Sequence, residues 1–131
     1  MPFQEGVSIY MQVAQMIEDD ILAGRLEPED AVPSTNAFSR HFNINPATVA
    51  KGFSLLVDEG IIYKKRGIGM FVSEGSRELI EHKRQKAFFE SRLPALIAEA
   101  KALGIRNEQI REAVDRYMKD ENEDKRTEEQ Q

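Results

Sequence analysis

Two groups of residues in this chain have the types and spacing to bind a polyanion. The first is Lys64-Lys65-Arg66-Gly67-Ile68-Gly69, three cations running into a glycine-hinged tip. Lysine and arginine neutralise phosphates, and glycine lets a backbone turn tightly and come close to a ligand. The second is Asn45-Pro46-Ala47-Thr48 with Lys51, whose polar ends match base edges or phosphate oxygens. Bond-making chemistry has no comparable support. The chain has no cysteine, and its two histidines, His41 and His82, stand far apart without a paired carboxylate motif. Gly67 and Gly69 fall in a hairpin tip rather than between a strand and a helix, so they do not make a phosphate loop. The residues therefore predict no enzyme, no cofactor and no metal.

These groups need elements to hold them, and the stretch from Val32 to Val72 supplies the cues. Pro33 keeps its start extended, and Ser34 caps a helix reaching about Arg40, with Phe38 as its apolar anchor. Phe42 to Ile44 is a tight connection. Asn45 then caps a second helix, with Pro46 at the first helical position, where a missing N–H costs nothing. Val49, Phe53 and Leu56 share one face of that helix, leaving Thr48, Lys51 and Ser54 free for a ligand. Gly60 ends it, and Ile61-Ile62 begins an extended segment that returns after the tip at Lys65-Arg66-Gly67-Ile68-Gly69. Two short capped helices and a basic hairpin make a winged helix-turn-helix. A short buttressed helix fits the major groove, about 12 Å wide, while cations at the hairpin tip reach the flanking backbone.

The formal charge of the chain is −5, which at first argues against nucleic acid. Its distribution reverses that inference. Residues 1–30 carry seven acids and one arginine, and residues 74–131 carry fourteen acids against twelve cations. Residues 31–73 carry five cations against two acids and are the only positive segment. A negative field around a local positive face predicts modest non-specific binding and a need for two copies acting together. With 131 residues, no cysteine and 31% charged residues, the composition suits a small intracellular protein. No apolar run approaches a membrane span and the acidic start lacks a signal-peptide layout, so the expected location is cytoplasmic, away from the membrane.

Ahead of the basic segment, Ser8 is expected to cap a core helix built on Ile9, Val13, Met16, Ile17 and Ile21 and closed by Gly24. Arg25 to Val32 reads as a loop with Leu26 and Val32 tucked under the helices. A boundary is expected near residue 75, at Glu74-Gly75-Ser76, so residues 1–75 form the first domain. A helical region, residues 76–120, follows. Its apolar positions Leu79, Phe88, Phe89, Leu93, Leu96, Ile97, Ala100, Ile110, Val114 and Tyr117 form stripes, with a bend at residues 90–94 imposed by Pro94. Gly104 suits a helix end and Asn107 a new cap. Some 40 residues are too few to bury these stripes alone or to enclose a ligand pocket of about 300 Å³ or more. The economical partner is a second copy, and a twofold homodimer then presents two reading helices to half-sites about a helical turn apart. Residues 121–131 have no apolar side chain and predict a disordered tail.

The chain resembles the GntR family of bacterial transcription regulators, in particular its small YtrA-type branch. The resemblance is carried by Ile9-Tyr10, Gln12-Val13, Val32-Pro33-Ser34, Asn45-Pro46-Ala47-Thr48-Val49, Leu56 with Glu59-Gly60-Ile61, and Arg66-Gly67-Ile68-Gly69-Met70-Phe71-Val72. It implies a double-stranded DNA operator as partner, with contacts from positions matching Asn45, Thr48, Lys51, Arg66 and Gly67; the expected DNA-binding set adds Ser34, Thr35, Asn36, Pro46, Ala47 and Lys65. It also implies a short helical dimerisation region in place of a large effector domain. Any small-molecule effector would then act between reader and dimer helices or on their angle. The chain departs from the family pattern in two places. Many relatives carry arginine where Asn36 stands, which implies an altered base or a weaker backbone contact. An Arg-Ala pair is common where this chain has Lys51-Gly52, which favours a phosphate role for Lys51 and a close helix approach at Gly52.

Each assignment has a simpler counterpart. Asn45 and Ser34 as caps are compatible with phosphate contact, because a helix N-terminus binds anions. Thr48 reads as a base contact or as an exposed structural residue. Tyr63 reads as strand packing, and Phe88 and Phe89 as dimer core. The alternative function is a winged-helix protein-interaction module without specific DNA readout.

Overall fold

The computed structural model describes residues 7–129. The opening residues, 1–6, which carry the expectation of no leader, lie outside that range, as do Gln130 and Gln131. The chain divides into two compact units, Met1–Gln85 and Lys86–Gln131.

In the first unit, α1 (Ile9–Leu22) buries Val13, Ala14, Ile17 and Ile21 along one stripe, and Glu18 beside them. Ser8 stands at its cap position, but the hydroxyl makes no capping bond. The Ser8 carbonyl instead takes the N–H groups of Met11 and Gln12, and the Gln12 side chain donates to Val7 O at 2.8 Å. The pair α2 (Thr35–Phe42) and α3 (Pro46–Asp58) forms the helix-turn-helix. Helix α2 runs two residues past the expected Arg40. It stops where Asn43 enters the left-handed region at φ 54°. At the other end, Ser34 Oγ accepts from the N–H of Ala37 at 3.1 Å.

Helix α3 starts at Pro46, where expected, with Asn45 Oδ1 accepting from the N–H of Ala47 at 2.8 Å. Val49, Phe53 and Leu56 are completely buried. Gly52 lies under α1: a Cβ built there would stand 2.6 Å from the Tyr10 carbonyl oxygen and 3.0 Å from Val13 Cγ1. The helix ends in a left-handed turn at Gly60, φ 76°, with Gly60 N–H bonded to Val57 O and Ile61 N–H to Leu56 O, both at 3.0 Å. Glycine avoids the Cβ clash there, and the turn drops Ile61 straight into the core.

The wing pairs β1 (Ile62–Lys65) with β2 (Gly69–Val72) in antiparallel register, from Ile62 opposite Val72 to Lys65 opposite Gly69. The other edge of β2 is also occupied. Glu29 N–H bonds Val72 O at 2.8 Å, Val72 N–H bonds Asp30 O at 3.0 Å, and Val32 N–H bonds Met70 O at 2.8 Å. The segment from Arg25 to Val32, a loop by its sequence, therefore ends as a partner of the wing. Tyr63 stacks at 6.0 Å from Phe71 and its hydroxyl donates to the Glu29 carboxylate. That hydrogen bond raises the Tyr63 pKa above its ordinary value.

The polar hinge at Glu74-Gly75-Ser76 is a turn, but the first unit does not stop there. Helix α4 (Ser76–Ala87) carries the unit on to Gln85 because Ser76 and Ile80 are fully buried. Leu79, expected in the dimer region, belongs to this unit and is half exposed. Farther along α4, Lys83 Nζ donates to Glu18 and, at 2.6 Å, to Glu59, while Arg84 reaches Glu18 at 3.1 Å and Asp19 at 2.8 Å. Burial alone would lower the Lys83 pKa. The bonds to Glu18 and Glu59 outweigh it and hold the ammonium above its usual value. Its contribution to stability is thus fully present below the ordinary lysine pKa and is lost only as pH rises through the higher folded value.

The second unit begins at Lys86, in the last residues of α4, and continues with a π-helical turn, Phe88–Arg92, closed by Leu93 N–H to Phe88 O. The turn falls where Pro94 predicts an interruption: proline has no N–H to offer the carbonyl four residues back, and a wider turn absorbs the loss. Then come α5 (Leu93–Ala102), a left-handed Gly104 at φ 73°, and α6 (Asn107–Glu129). The tail expected to be disordered is instead helical up to Glu129. It contains no glycine or proline, so no residue in it stops the helix from propagating.

Ordinarily Gly→Ala within a helix gains about 1 kcal/mol. Gly52→Ala should do the opposite, because the obstacle is a backbone oxygen that cannot rotate away; overpacking costs about 1–3 kcal/mol. A lower denaturant midpoint at unchanged slope is the expected result, and a more stable variant would contradict the α1–α3 contact.

Candidate nucleic-acid interface

On α3 the residues facing away from the core are Ala47, Ala50, Lys51 and Ser54, all exposed, whereas Thr48 is half buried on the flank. Ser54, which the apolar spacing leaves free for a ligand, follows Ala47 by two turns and extends the open stripe. The helix N-terminus itself has no spare donors: Ala47 bonds the Asn45 side chain, and Thr48 and Val49 bond the Asn45 carbonyl at 3.0 and 3.1 Å. Pro46 has none to give. Asn45 is therefore a full structural cap, and α3 must meet a ligand through side chains.

Helix α2 differs. Ser34 takes the N–H groups of Ala37 and Phe38, while those of Thr35 and Asn36 have no acceptor among the described residues. They border a cleft of about 370 Å³ whose other wall is the wing, including Lys64 and Ile68. Strand alternation explains which lysine lines it. Lys64 shares a face with buried Ile62 and pairs with Met70, so it points to the helices. Lys65 falls on the Tyr63 face and lies back over Phe71, 4.6 Å from the ring centroid. The sequence groups Lys64 with Lys65 and Arg66 in the basic wing but names only Lys65 and Arg66 among the DNA-contact positions, although the strand period of two separates Lys64 from Lys65.

Lys51 is parked similarly, its Nζ 4.1 Å from the Tyr10 ring centroid. Such exposed cation–π contacts contribute about 0.5–1 kcal/mol. A charged hydrogen bond contributes about 1.5–3 kcal/mol, so both lysines can leave their rings for a phosphate. Arg66 and Gly67 form the centre of the tip turn, closed by Ile68 N–H to Lys65 O at 3.0 Å, with Gly67 at φ 77°. Ile68 is 73% exposed beside them. The site residues thus fall into three groups on one compact unit: Ser34, Thr35 and Asn36 with Lys64 across the cleft; Asn45, Pro46, Ala47, Thr48 and Lys51 on α3; and Arg66 and Gly67 at the tip. Among the described residues, no group of three or more His, Cys, Asp or Glu has the geometry to hold a metal.

Comparison with known proteins places this geometry. Residues 9–72 match the family model described as bacterial regulatory proteins, gntR family. The chain is 31% identical over 112 residues to the HTH-type transcriptional repressor YtrA of Bacillus subtilis (strain 168), spanning 85% of each protein. It is 35% identical over 75 residues to the transcriptional repressor NagR of the same organism, but spans only 31% of that longer protein. Among solved structures, a GntR-family regulator from Bacteroides thetaiotaomicron superposes with a TM-score of 0.69 at 33% identity, over 86% of this chain and 98% of that one. The DNA-binding domain of AraR in complex with operator ORE1 superposes with a TM-score of 0.50 at 28% identity, over 55% of this chain and 90% of that domain. With residues 9–72 matched by that family model and a 31% identical relative spanned over 85% of its length, the chain belongs to the GntR family of bacterial transcription regulators.

Proposed function

We propose that this regulator acts as a homodimeric repressor, binding a palindromic operator through α3 and the wing of each protomer. The observation that carries the reading is the cleft between α2 and the wing, lined by Lys64 and by Thr35 and Asn36, whose N–H groups have no acceptor among the described residues. That arrangement suits one phosphate of the backbone, held by a helix N-terminus on one side and Lys64 on the other. Seating the backbone there brings α3 to an adjacent groove and lets Arg66 reach the neighbouring phosphates or minor groove. The operator complex of the AraR DNA-binding domain supports operator DNA as the partner, and YtrA supports repression.

Dimerisation is supported by the second unit. Phe89 is 64% exposed, Leu96 60% and Tyr117 78%, and Phe88, Leu103, Val114 and Met118 are also open to solvent. Leu93, Ile97 and Ile110 are half buried and Ala100 is buried. Covering a large apolar side chain is worth about 1.5–3 kcal/mol. Association costs about 4–15 kcal/mol, so a handful of these residues covered on each protomer suffices. An inducer, if one operates, would act by altering how the dimer presents its two reading helices.

Selection of duplexes from a random pool should yield an inverted repeat; a motif without repeat symmetry would contradict the dimeric arrangement. In the Lys64→Ala/Arg66→Ala variant, operator affinity should fall and the salt dependence flatten by roughly 0.9 in log–log slope for each phosphate no longer neutralised. Unchanged affinity and slope would remove the wing and cleft from the interface. Thr48→Ala should relax preference at one base position, whereas uniform weakening over all sequences would make it a backbone contact. Phe89→Glu/Leu96→Glu should sediment as a folded monomer, and a variant that stays dimeric would place the interface elsewhere.

A further inference from the structure

We infer that Glu18 is a positioning residue for operator spacing: through Lys83 and Arg84 it sets the direction in which α4 leaves the DNA-reading unit. The inference rests on the dimeric reading proposed above. Glu18 is 1% exposed on α1, and an isolated carboxylate in such a place is strongly unfavourable. What offsets this is a pair of cations one residue apart on α4. Lys83 donates to Oε2, and Arg84 reaches Oε1 from Nη2 at 3.1 Å and from Nε at 3.4 Å.

Each cation also has a second anchor. Lys83 bonds Glu59, the residue that closes α3, at 2.6 Å, and Arg84 bonds Asp19 at 2.8 Å and the Gln15 carbonyl at 3.4 Å. The last turns of α4 are thereby tied to α1 and to the end of the DNA-reading helix at once. Ile80, buried one turn earlier, holds α4 against the core, but an apolar contact tolerates rocking. Directional charged hydrogen bonds to both oxygens of one carboxylate do not.

The magnitude makes this consequential for DNA. Helix α4 has 12 residues, so it is about 18 Å long, and a tilt of about 10° displaces its far end by about 3 Å, close to one base-pair step of about 3.4 Å. A twofold axis repeats the tilt in both protomers. Loosening the clamp therefore blurs the distance between half-sites while leaving the residues that read each half-site untouched.

The test is random-pool duplex selection with the full chain, comparing wild type with Glu18→Gln and Lys83→Met, alongside sedimentation and thermal melting. Glu18→Gln keeps the shape and removes the charge; Lys83→Met leaves Arg84 on Glu18, so it carries the test if the first variant does not fold. Folded dimeric variants should select the wild-type half-site with spacers spread from one length to its neighbours. A single unchanged spacing, or an equal loss of affinity at every spacing, would overturn the role of Glu18 while leaving the dimer intact. A wild-type chain that sediments as a monomer and selects lone half-sites would overturn the dimeric reading, and this inference with it.

Discussion

The approach of α1 to α3 at Gly52 is the constraint on which the reading unit depends. Because a Cβ at that position would meet the Tyr10 carbonyl oxygen at 2.6 Å, only glycine allows the two backbones to come so near. That closeness lets Val13 and Ile17 of α1 share a core with Val49, Phe53 and Leu56 of α3. It fixes the rotation of α3 about its axis, and rotation decides which side chains remain outside. Ala47, Lys51 and Ser54 are open to a ligand because their opposite face is committed to α1. The helix-propensity cost of glycine, about 1 kcal/mol, is small beside the packing it permits.

Charge is organised at two depths. At the surface, residues 31–73, which hold α2, α3 and the wing, carry five cations against two acids within a chain of formal charge −5. Acids elsewhere weaken indiscriminate attraction to DNA, so binding must come from local contacts, which the proposed pairing of two copies would double. In the interior, Glu18 reverses the usual rule that charges stay out of cores. It is tolerated because Lys83 and Arg84 come to it from α4, and the same bonds give α4 a direction that apolar packing alone does not specify.

The second unit has the opposite character. Its helices leave large apolar side chains open in a single chain, which is costly in water and is what the proposed dimer would relieve. The π-helical turn before Pro94 lies near the start of this unit, between α4 and α5. Removing one hydrogen bond there and shifting register lets the apolar faces on either side be set independently.

Most of the elements were legible in the sequence, because their causes are local. Asn45-Pro46 starts a helix wherever it stands before an apolar stripe, Gly60 ends one by accepting a left-handed φ, and Pro94 interrupts one by lacking a donor. The wing was legible from its cations and glycines. What lay beyond reach were two local outcomes and, above all, the interactions between residues distant in the chain. Ser8 looked like a cap, yet its carbonyl takes the first donors of the helix; the polar tail looked disordered, yet nothing in it breaks a helix. Lys65 looked more available than Lys64 until Phe71 drew it back over the strands and the α2 terminus gave Lys64 a cleft to face. Glu18 resembled any surface acid on an amphipathic helix. Only the fold, by bringing residues 65 and 66 positions further along against it, made it buried and paired. Local periodicity and capping chemistry determine which segments form; the distances at which segments meet decide which polar groups are used up inside the protein and which remain for DNA.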